Sequence, residues 1–137
     1  MLQAIPLTIL PLIIYNLVGY LIGGADPWSA GLFGITMISG AVWALKLGDV
    51  LILFAIAMLY IEVSKAARSS QNTIANHVLS TLVLIVYVVE FIVASVAANS
   101  VFLILTAIAL FDVIAGFSIT IKTATRDIAL GQNVDAL

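Results

Sequence analysis

Apolar residues run along this chain in long blocks, and the charged residues gather between them. Ala4 to Ile22 holds no charged side chain, and Leu47–Ser64, Ile74–Ala97 and Val101–Ile121 are nearly as apolar. A helix needs roughly 20 apolar residues to cross a hydrocarbon core about 30 Å thick, and each block reaches that length. None alternates as a barrel strand would, and only helices or closed barrels satisfy every backbone group in lipid. The expected fold is therefore all-α, a polytopic integral membrane protein. It has four transmembrane helices at about 4–22, 47–64, 74–97 and 101–121 within a single membrane domain, 1–137. Pro6 falls near a helix start, where its missing N–H costs little, whereas Pro11 lies further in and predicts a kink. No basic residue precedes the first block, so it reads as a span and not as a cleaved leader.

Pro27 to Leu45 breaks the pattern. It is uncharged, like a span, yet Gly31, Gly34, Gly40, Ser29, Thr36 and Ser39 weaken its case for insertion. Only Lys46-Leu47-Gly48-Asp49 would separate it from the next span. An interfacial or re-entrant helical segment fits this best, with Trp28 and Trp43 as anchors at headgroup level; the alternative is a fifth span. The residues at 131–137 (Gly-Gln-Asn-Val-Asp-Ala-Leu) read as a flexible tail.

Composition agrees with the pattern. Hydrophobic residues make up 64% of the 137 and charged ones 9%, against about 25% charged in a typical soluble domain. So small a soluble domain could not bury that much apolar surface, which excludes soluble enzymes and nucleic-acid binders. The net charge of −2 gives no basic patch. With no cysteine and one histidine, neither a disulfide framework nor a metal site is expected, and no cofactor is implied. Lys65 and Arg68 lie between spans two and three, and Lys122 and Arg126 follow span four, while Lys46 alone lies at the other end. By the positive-inside rule both termini are cytoplasmic in a cell membrane, a bacterial inner membrane being expected.

Five ionisable residues then fall within or at the ends of the spans: Asp49, Glu62, His77, Glu90 and Asp112. Acids at membrane depth cost about 2.5–3.5 kcal/mol each on insertion scales and usually face protein or water. At 1.5 Å per residue, Glu62 and His77 share the inner side, Asp49 and Glu90 the outer side, and Asp112 lies nearest the midplane. Such an array is what a proton or cation path needs. Each member also has a structural reading. Asp49 is a candidate N-cap, Glu62 can pair with Lys65 at i,i+3, and His77 can hydrogen-bond at the interface. Glu90 and Asp112 have no basic residue nearby on their own helices, so they are either path residues or hydrogen-bonding contacts to another helix or subunit.

Small residues mark close helix contacts. Gly19 and Gly23 form a GxxxG at the end of span one, and Gly116 shares a face of span four with Asp112 and Thr120. The segments Ser39-Gly40-Ala41-Val42-Trp43, Leu47-Gly48-Asp49, Glu62-Val63-Ser64-Lys65, Val89-Glu90-Phe91 and Thr125-Arg126-Asp127-Ile128, with His77, are similar to those of small bacterial four-helix membrane proteins. That resemblance implies a fold and no activity. Two functions follow from the residues. One is a homo-oligomeric proton- or cation-coupled transporter or channel using the intramembrane carboxylates. The other is an accessory or assembly subunit of a larger membrane complex with no transport of its own. The partners are membrane lipid together with further copies or a larger complex. No nucleophile–base pair is legible, so no enzyme is expected.

Overall fold

The computed structural model of the chain describes residues 5–22, 26–68 and 73–135. It is mostly helical: α1 (Ile9–Ile22), α2 (Leu47–Arg68), α3 (Thr73–Val93) and α4 (Ser100–Asp135), with a two-stranded sheet, β1 (Gly31–Thr36) and β2 (Val42–Lys46), between α1 and α2. Three helical stretches are long and apolar enough to cross a membrane: Leu47–Arg68, Ala75–Val93 and Ser100–Arg126. α1 is apolar but shorter.

Several sequence expectations change. The first helix starts at Ile9 and not at Ala4, because Pro6 and Leu7 are taken up in a turn that bonds Ile9 N–H to Pro6 O and Leu10 N–H to Leu7 O. Pro11 thereby falls in the first helical turn, where an N–H would have no intrahelical partner, so it removes nothing and no interior kink is required. α3 ends at Val93, and a short 3-10 turn, Ser95–Ala97, follows it. α4 runs past Ile121 through most of the segment read as a tail, reaching about 54 Å at 1.5 Å per residue.

The largest change is at 27–45, which is neither a fifth span nor an interfacial or re-entrant helix. After a 3-10 turn at Pro27–Ser29 the chain forms an antiparallel hairpin, pairing Ile35 with Trp43 and Thr36 with Val42. Gly40 closes it with φ +83°, a conformation that side chains rarely adopt. The fold is thus helical with one small sheet.

Trp28, the start of α2 at Gly48 and Val101 of α4 meet at the hairpin end, where a Cβ on Gly48 would come 2.7 Å from Val101 Cγ2 and 3.0 Å from Trp28 O. The aromatic core lies just beneath. Tyr15 stacks on Trp28 at 4.6 Å and meets the edge of Phe102 at 4.7 Å, and Tyr87 and Phe91 pack on Phe102 from α3. Trp28 is only 4% exposed, so it is a core residue and not a headgroup anchor, because Tyr15 covers its ring. Asn99 caps α4 by accepting Phe102 N–H at 3.1 Å, and its amide also bonds the Tyr15 hydroxyl and Val96 O.

A carboxylate cradle and a lateral groove

α1 begins part way along the bundle. Glu62 lies about 22 Å along α2 from Leu47, and Asp112 about 18 Å along α4 from Ser100. Both reach the two residues that lead into α1. Leu7 N–H donates to Glu62 Oε2 at 3.0 Å, and Thr8 Oγ1 donates to Asp112 Oδ2 at 3.0 Å. From α3, Tyr87 Oη donates to Thr8 O at 3.0 Å. The N-terminal turn of a helix leaves backbone donors unpaired and carries partial positive charge, so carboxylates are the groups expected to gather there.

Glu62 is 1% exposed and accepts three donors: Leu7 N–H, Lys65 Nζ at 3.0 Å and Asn76 Nδ2 at 2.9 Å. The ion pair with Lys65 has the i,i+3 spacing. Asp112 is 4% exposed, and Ser80 of α3 is likewise buried. His77 is not hydrogen-bonded to Glu62. Its neighbour Asn76 makes that contact, while the His77 ring bonds Thr120 Oγ1 and stacks on Phe117 at 5.1 Å. Gly116 is what admits the ring: a Cβ there would sit 2.5 Å from His77 Cε1. Asp49 does not cap α2 from the N-cap position. It lies inside the first turn and reaches back, accepting Lys46 N–H at 2.9 Å, which is the acidic half of a capping box.

Glu90 stands apart from the cradle. One oxygen accepts Asn16 Nδ2 at 2.9 Å, and the other is buried without a partner, as is Asn76 Oδ1. Glu90 and Asn16 form the polar spot in a groove of about 510 Å³ between α1 and α3, whose other walls include Leu12, Leu17, Tyr20 and Val86. Tyr20 and Leu17 are well exposed on its rim.

Of the residues singled out from the sequence, Glu62 and Asp112 therefore converge, His77 and Gly116 form a separate contact, and Glu90 and Asp49 lie elsewhere. Gly19 packs against Val96, with 3.6 Å left for a Cβ, and Gly23 lies outside the described residues. Sequence reasoning passed over Thr8, Asn16 and Asn76. Each is a polar residue beside or within an apolar block, and Asn16 is the only amide side chain between Ile5 and Ile22. Comparison with protein-family models, curated proteins and solved structures finds no match to this chain.

Proposed function

We propose that this chain is a cell-membrane protein that acts as a subunit of a membrane assembly, docking through the α1–α3 groove at Glu90 and Asn16. In this reading α2, α3 and α4 span the bilayer, with Lys65, Arg68, Lys122 and Arg126 on the cytoplasmic side. The observation that carries it is the division of labour among the acids. Glu62 and Asp112 are occupied inside the protomer by Leu7, Thr8, Lys65 and Asn76. Glu90 has one oxygen unpaired, beside an open apolar groove. A buried acceptor without a donor costs about 1–3 kcal/mol, and the Glu90–Asn16 pair is the polar spot that a helix seating in the apolar groove would meet. A further copy of this chain and a larger membrane complex are both admissible occupants.

A second reading, a homo-oligomeric proton- or cation-coupled transporter or channel, draws on the polar seam. Lys65, Glu62, Asp112 with Thr8, and Tyr87 follow one another through the bundle, with Glu90 and Asn16 beyond. One experiment separates the two. The protein is extracted in mild detergent, the intact particle is weighed, and Glu90→Gln and Asp112→Asn are compared with it, both in the particle and in vesicle pH-flux assays. Docking predicts an assembly that Glu90→Gln weakens, with no flux in any form. Flux that both substitutions abolish, from a particle whose mass they leave unchanged, overturns docking in favour of transport.

A further inference from the structure

We infer that the β1–β2 hairpin is a lipid-binding element, lying in the headgroup–acyl boundary at the end of the bundle where α2 begins. The inference rests on α2–α4 spanning the bilayer and goes beyond the docking role.

In an antiparallel pair, directly opposed residues share a face of the sheet. The register therefore puts Phe33, Ile35, Trp43 and Leu45 together on one face, and Phe33 and Trp43 meet edge to face at 6.4 Å. Among the described residues nothing covers the outer part of that face, and only Leu45 at the base is half-buried. Phe33 is 54% exposed, Ile35 48% and Trp43 44%, and Ile38 at the turn is fully exposed. The other face carries the smaller Gly34, Thr36, Val42 and Ala44. A two-stranded hairpin is marginal at best in water by itself, and this one is joined to the bundle mainly at its base, where Leu47 N–H bonds Ala30 O at 2.9 Å.

Two features select lipid over a protein partner. No charged residue lies between Pro27 and Leu45, while Asp26, Lys46 and Asp49 stand at the hairpin's base. A protein contact of this size would ordinarily have a polar rim, whereas this element carries no charge beyond Lys46 at its base. The second feature is continuity: β2 ends at Lys46 and the apolar helix α2 starts at Leu47, with no linker between. The whole hairpin is therefore held within about 20 Å of the point where α2 enters the bilayer. Its unpaired strand edges bar it from the hydrocarbon, where open sheet edges are not tolerated, and fix it at the boundary, where water and headgroups reach them.

The test uses the full chain reconstituted in phosphatidylcholine–phosphatidylglycerol vesicles. Trp43 emission is isolated as the difference between the wild type and Trp43→Phe, the other tryptophan, Trp28, being buried under Tyr15. Lipids brominated near the top of the acyl chain are expected to quench Trp43 about twofold and aqueous iodide to have little effect, as for a tryptophan at the interface. Ile35→Asp should shift Trp43 from lipid quenching to iodide quenching while the protein stays with the vesicles on flotation. An environment-sensitive probe on Ile38→Cys, the sole thiol of that variant, gives the same answer at the tip. Iodide quenching without bromolipid quenching in the wild type overturns the inference, since the hairpin then stands in water. Quenching by neither overturns it too, since protein then covers the face. Wild-type chain that fails to float with vesicles removes the spanning helices on which the inference rests.

Discussion

Replacing Gly116 with alanine drives a methyl group into the His77 imidazole, 2.5 Å from Cε1 and 2.6 Å from Nδ1. Both distances are well inside van der Waals contact, and the ring has little room to yield. It is held by Thr120 at one nitrogen, lies against Phe117, and is 7% exposed. Overpacking of this kind costs about 1–3 kcal/mol, and losing the Thr120 bond as the ring moves adds about 0.5–1.5 kcal/mol. Gly116→Ala should therefore destabilise the detergent-solubilised protein by about 2–4 kcal/mol, read as the shift in an SDS-unfolding midpoint. Gly19→Ala is the internal control. Its Cβ meets Val96 at an ordinary 3.6 Å, so it should stay within about 0.5 kcal/mol of wild type. A double-mutant cycle isolates the contact: with His77→Ala in place, Gly116→Ala should cost at least about 1 kcal/mol less than it does alone. Equal costs in both backgrounds would refute the steric argument.

The carboxylate cradle gives further expectations. Glu62→Leu leaves Leu7 N–H and the Asn76 amide without their acceptor and should cost about 3–5 kcal/mol, whereas Glu62→Gln, which keeps an acceptor oxygen, should cost less; the same unfolding midpoint checks both. Thr8→Val removes the donor to Asp112 at nearly constant shape and should cost about 1–3 kcal/mol, and hydrogen exchange at the start of α1 should rise with it. Tyr15→Phe deletes the 2.8 Å bond to Val96 O and the Asn99 contact while keeping the ring on Trp28, for a loss of about 1 kcal/mol by thermal unfolding.

The helices were legible because length and unbroken hydrophobicity dominate in α2, α3 and α4, where nothing local opposes them. The i,i+3 pair of Glu62 with Lys65 was legible for the same reason, being set by helix geometry alone. The hairpin was not. An uncharged run flanked by apolar helices reads as helix when apolar content alone is weighed, yet Ser39-Gly40 is a turn signal between two short runs that carry Phe33, Ile35, Val42 and Trp43, residues that favour strands. Gly40, at φ +83°, a conformation glycine adopts freely, sits in that turn. Asp49 stands three residues after the N-cap position, Lys46, because the helix starts directly after a strand, and that junction leaves no loop residue to serve as a side-chain cap.

The late start of α1 escaped the sequence for a different reason, and it changes what the acids mean. Apolar content alone does not fix where within an apolar block a helix begins. Pro6 and Pro11 are the only local clue: two prolines five residues apart suit an entry turn followed by a first helical turn better than a kinked interior. With α1 beginning at Ile9, residues 5–8 ahead of it are non-helical backbone packed against other helices, and their donors need acceptors within the protein. Glu62 and Asp112, on different helices, are placed where those donors emerge. Acids spaced across a bundle suggest a conduit when they are considered by depth alone. Considered by partner, two of them close the open end of a helix, and Glu90, which has a single donor for its two oxygens, is left as the acid whose presence the protomer does not explain.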